Sequence, residues 1–116
     1  GEFAVTSEAV YSRAEVTIDF SRSQLLVIDV ALVRLKIDGT GDVMASKRFE
    51  LRLDNDLLAA YRFSELSRNM EYASHEYRVA SERKRHVDGM IYGMVEAVLA
   101  IMCNDSGLNR ADVRSM

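Results

Sequence analysis

Apolar and polar residues alternate from Val10 to Phe20. Val10, Ala14, Val16, Ile18 and Phe20 share one parity, and Tyr11, Arg13, Glu15, Thr17 and Asp19 share the other. A period of two predicts a strand over 10–20 with one wet face. Ser21-Arg22-Ser23 is a polar break. In the next run, 25–37, both parities are apolar as far as Leu32. Arg34 and Lys36 then alternate with Val33, Leu35 and Ile37. This pattern predicts a central strand, covered on both faces early and on one face late. Asp38-Gly39-Thr40-Gly41-Asp42 is a hairpin signal. Alternation resumes over 43–53, interrupted at Lys47.

The period changes at Asp54-Asn55-Asp56, where a short acceptor can cap a helix ahead of Leu57. Ala59, Phe63, Leu66, Met70, Ala73, Tyr77 and Ala80 then step by four and three, and the phase continues through Val87, Ile91, Met94, Val98 and Ile101. No proline occurs anywhere in the chain. One helix from Asp56 to Met102 would be roughly 70 Å long. Two helices, over 56–80 and 86–103 with a break in Ser81–His86, fit the usual length of globular helices better and are favoured. Asn104 to Gly107 is a C-cap region, and 108–116 is expected to be a frayed tail. The fold class expected is therefore α+β: a three-stranded antiparallel sheet followed by one long or two consecutive amphipathic helices. Gly1-Glu2-Phe3 looks like a cloning remnant, which leaves 4–107 as one domain.

Composition supports a folded chain. Of its 116 residues, 48% are hydrophobic and 28% charged, and the net charge is -3. A mildly acidic balance gives no global attraction to nucleic acid or anionic membrane. The single cysteine, Cys103, excludes an intramolecular disulfide and a cysteine zinc cluster. No apolar run reaches the ~20 residues that cross a bilayer, so no transmembrane segment is expected. Compartment stays open between cytoplasm and periplasm.

Candidate chemistry is sparse. Asp29 within an apolar strand is costly unless paired or ligated. With Glu50 and Arg52 it could form a metal-dependent nuclease-like site, or it could simply pair with Arg34 or Arg52, which is favoured. Asp38, Asp42, Asp54 and Asp56 fail the calcium-loop pattern, because the twelfth position counted from Asp38 is Phe49. No phosphate-loop lysine follows Gly39-Thr40-Gly41. His75 and His86 stand eleven apart, the wrong spacing for a helical zinc pair. Cys103 fits a small core residue better than a nucleophile. No metal or cofactor is expected, and the balance leans away from an enzyme.

Arg78, Arg83, Lys84 and Arg85 could grip anions, although a solvated face with i,i+4 ion pairs is the plainer reading. Nucleic acid is thus a possible partner but not the favoured one. Gly89 and Gly93 suggest a seat where another backbone comes close. Met70, Met90, Met94 and Met102 fit core filler. The stripe of Phe63, Leu66, Met70, Ala73 and Tyr77 is more apolar helix than a short sheet needs, so self-association through helices is expected.

Asp38 to Glu50 reads D-G-T-G-D-V-M-A-S-K-R-F-E. It resembles the "D-x-x-T/S-G-x-V-L-A-S-R-x-F" hairpin of small Gram-negative cell-envelope lipoproteins, such as auxiliary lipoproteins of ABC-type lipid transporters and some secretion accessories. The resemblance covers Tyr11–Leu53 and Val87–Met102. It implies an α+β domain serving as an accessory part of a larger assembly. The matched letters are turn and strand residues with no catalytic role to carry over. The chain departs from that family in its long 56–86 segment and in having no N-terminal cysteine. The expected function is a non-enzymatic interaction module.

Overall fold

A computed structural model describes residues 11–67 and 75–114. The elements run β1 (Tyr11–Asp19), β2 (Leu25–Leu35), β3 (Gly41–Arg52), α1 (Asn55–Ser67), α2 (His75–Asp105), a 3-10 turn over Arg110–Asp112, and β4 (Val113–Arg114). The fold is α+β, and the three strands expected from alternation are present. The sheet order is β3-β2-β1-β4. The fourth strand was not expected. It lies parallel to β1, with Ser12 opposite Val113.

The stretch expected to fray after Gly107 is therefore folded as far as Arg114. The Asn109 side chain accepts the Ala111 N–H at 3.0 Å and starts the 3-10 turn. Val113 is then buried, and the Arg114 guanidinium stacks 4.1 Å from the centre of the Tyr11 ring. Arg110 pairs with Glu96 at 2.8 Å. Residues 115–116 lie outside the described residues.

The β2–β3 hairpin closes where the glycines predict. The Gly39 N–H donates to the Lys36 carbonyl at 3.0 Å, and the Lys36 N–H donates to that of Thr40 at 2.9 Å. Gly39 has φ +88°, which favours a residue without a Cβ. The Asp38 carboxylate accepts from the Thr40 hydroxyl and N–H, at 2.7 and 2.9 Å, and these bonds hold its pKa below the ordinary value.

Counting outward from Lys36 opposite Thr40 would set Asp29 opposite Lys47. Asp29 is instead bound by Arg48, with Nε 2.7 Å from Oδ1 and Nη2 3.2 Å from Oδ2. This offset of one residue marks a bulge in β3 between the hairpin and Arg48. The bulge accounts for the broken alternation at Lys47, and it replaces the expected Arg34 or Arg52 partner with Arg48.

Asp54 caps α1 as predicted, its Oδ1 accepting the Leu57 N–H at 2.8 Å. Two α-helices are present among the described residues, but Ser81–His86 does not separate them. That stretch lies inside α2, which runs 31 residues. Glu82, Arg83, Lys84 and Arg85 are strong helix formers, and Lys84 pairs with Asp88 one turn on, at 2.7 Å. By length and composition α2 could cross a membrane, contrary to the count of apolar runs. The core helix of a soluble protein passes the same test, and a third of that apolar stretch is buried.

The described chain forms two compact units. The first takes in the residues up to Ile18, Ile28–Phe49 and those from Val95. Its buried side chains include Ile28, Val30, Leu32, Leu99 and Cys103, so Cys103 is a core residue as expected. The second takes in Asp19–Val27 and the described residues of Glu50–Met94. Leu26, Leu53, Leu58, Tyr61, Val87 and Ile91 are buried there. Each such aliphatic or aromatic side chain contributes roughly 1.5–3 kcal/mol when taken out of water.

Candidate interaction surface

The second unit holds α1 and the first half of α2 side by side through a mixed polar and aromatic clamp. Lys84 reaches from α2 to Glu65 of α1 at 3.1 Å and to Asp88 at 2.7 Å, with its Nζ 5.4 Å from the Tyr61 ring centre. Burial lowers the pKa of that ammonium, but the hydrogen bonds with Asp88 and Glu65 more than offset it, and the net shift is upward. Tyr61 is only 3% exposed. Burial, and secondarily the Glu65 charge, push its phenol up to about 12. The Ser64 and Ser81 hydroxyls lie 3.4 Å apart across the two helices.

Tyr61 also packs edge-on to Phe20, at 6.0 Å between ring centres. Next to it, Arg62 donates from Nε to the Phe20 carbonyl at 2.7 Å and from Nη2 to the Arg22 carbonyl. These contacts fix α1 on one side and leave its other side facing solvent.

On that side α1 and α2 enclose a groove of about 470 Å³. Its floor is apolar, formed by Ala59, Ala60, Phe63, Val79 and Ala80. Asp56, His75, Glu76 and Arg83 supply the charged and polar groups around it. The local sequence explains the shape. Asp56, Ala59, Ala60 and Phe63 fall at helical spacing on α1, and Glu76, Val79, Ala80 and Arg83 do so on α2. The alanines keep the floor low, while Phe63 stands 44% exposed. Leu66, almost a turn further along α1, is 71% exposed.

Three residues of the expected interaction stripe are described. Phe63 lines the groove, Leu66 projects to solvent, and Tyr77 is half-buried on α2. Met70 and Ala73 lie outside the described residues. From the sequence, Arg83 stood out only as a possible anion contact, and Glu76 had no role in an interaction surface. Their spacing around Val79 and Ala80 was the available signal.

The predicted anion cluster is dispersed. Lys84 is committed to Glu65 and Asp88, and Arg83 belongs to the groove. Arg78 and Arg85, seven residues apart, share a different line of α2 and are exposed. Asp29, the centre of the nuclease-like alternative, is held bidentately by Arg48. Among the described residues no three His, Cys, Asp or Glu side chains come together in a metal-binding group.

Gly89 and Gly93 are not a close seat against the described residues of this protomer, since a Cβ on either would meet none of them within 4 Å. Of the methionines expected as core filler, Met102 is buried, whereas Met94 is exposed. Compared with protein families, curated proteins and solved structures, the chain gives no match.

Proposed function

We propose that this chain is a non-enzymatic protein-interaction and oligomerisation module, an accessory component of a larger assembly, with the α1–α2 groove as its contact surface. The observation that carries this reading is the apolar groove itself, with Phe63 and Leu66 offered to water beside it. Large apolar side chains clustered at a preformed groove are stabilised when another protein covers them. The clamp at Lys84 and the Arg62 bonds hold the groove in shape before a partner arrives, which lowers the ordering cost of association. The resemblance of Asp38–Glu50 to the envelope-lipoprotein hairpin favours a place in a bacterial envelope or secretion apparatus.

Sedimentation velocity over a range of concentrations tests the reading. The wild-type mass should rise above that of one chain, and Phe63→Asp with Leu66→Asp should return it to monomer while leaving the circular dichroism unchanged. A wild-type chain that stays monomeric at the highest attainable concentration would contradict self-association.

A further inference from the structure

The geometry points to a second copy of this chain as the occupant of the α1–α2 groove. The copies dock about a two-fold axis that passes α2 between Val79 and Ala80 and sets Glu76 of each protomer against Arg83 of the other. This rests on the groove being the interaction surface proposed above and goes on to specify partner, orientation and register.

Glu76, Val79, Ala80 and Arg83 all line the groove. They lie at helical intervals of three, one and three, so they share one side of α2. Glu76 and Arg83 are about 10.5 Å apart along the helix axis, with the apolar pair midway between them. Both end residues are exposed. Neither has an ion-pair or hydrogen-bond partner among the described residues. The next residue, Lys84, is by contrast tied to two carboxylates of its own protomer.

An acid at one end and a base at the other, equally far from an apolar centre, make a surface that complements itself when turned end for end. An antiparallel second α2 supplies Arg83 to Glu76 and Glu76 to Arg83 without any further device. This reciprocity is what an isologous two-fold interface requires. At the centre Val79 is half-buried and Ala80 buried, so both stand low enough for the helix axes to come within the usual 8–10 Å. Phe63, which lines the same groove from α1, loses its exposure to water in the same step.

The test is sedimentation equilibrium on the whole chain with Glu76→Arg, Arg83→Glu and the double swap. Both substitutions fall on exposed positions, and circular dichroism checks that each of the three variants is folded. Should either reversal disturb the fold, Glu76→Gln and Arg83→Gln remove the pair without reversing it. The expected result is a wild-type dimer. Each single reversal should weaken it at least about tenfold, because like charges then face each other twice. The double swap should recover most of the affinity, because the two-fold restores both pairs with the signs exchanged. High salt should weaken the wild-type dimer.

Single reversals without effect, in a dimer that Phe63→Asp still abolishes, would overturn the two-fold and leave the groove reading standing. A double swap as weak as the singles would do the same. A wild-type monomer at all concentrations would remove both.

Discussion

At the scale of single residues, Tyr61 makes the sharpest claim. Its ring is buried between Phe20 and Lys84, and its phenol is pushed up to about 12. An unfolded tyrosine titrates near 10. Because the folded pKa is the higher of the two, the stabilisation is fully present below pH 10. It is lost as the pH rises from about 10 through about 12. A shift of that size corresponds to roughly 2–3 kcal/mol. Following phenolate absorbance with pH should show one component ionising near pH 12, which disappears in Tyr61→Phe. Denaturant midpoints of the wild type should fall over the same window relative to that variant. Absence of the late component would mean that water reaches the ring. The letters around Tyr61 gave no such hint: nothing in Ala60-Tyr61-Arg62 says that Lys84, far along the chain, will close over it. Asp29 was more legible. Its place in an apolar run demanded a cation, and only the identity of the cation was missed, because the bulge moves Arg48 into register with it.

Elements were legible wherever the chain's own period decided them. Three strands, the hairpin at Gly39 and the Asp54 cap all follow from local chemistry. What local chemistry does not carry is long-range pairing. β4 is only two residues, too short for any periodicity to show, and it exists because β1 offers it an edge. The same limit affected Gly89 and Gly93, read as a close-packing pair but facing open space. Their helical position then gives a prediction. Gly89→Ala and Gly93→Ala should each raise stability by about 0.5–1 kcal/mol, since each removes unfolded-state freedom and meets no obstacle. Gly41→Ala should do the opposite. Its Cβ would fall 2.9 Å from Val33 Cγ1 and Leu35 Cδ2 on β2 and 3.3 Å from the Arg34 carbonyl oxygen. Forcing those side chains aside costs about 1–3 kcal/mol. Chemical denaturation of the three variants checks both signs. A destabilised Gly93→Ala would show that this helix face is occupied in solution.

For the molecule as a whole, association and stability are linked quantities. A protein whose folded state pairs, and whose unfolded chains do not, gains stability with its own concentration. For a dimer that unfolds to two separate chains, each tenfold rise in concentration above the dissociation constant adds about 0.7 kcal/mol per protomer. In a domain of this size that raises Tm by a few degrees. The groove lies in the second unit, formed by α1 and the first half of α2, so Phe63→Asp should remove the concentration dependence without removing folding. The two effects separate cleanly. A core defect would lower Tm equally at all concentrations, whereas loss of the partner would lower it only where the wild type is paired. Thermal unfolding of wild type and Phe63→Asp at two well-separated concentrations therefore distinguishes them. Parallel curves, with the same slope of Tm against concentration in both proteins, would place the self-association surface somewhere other than the groove beside Phe63.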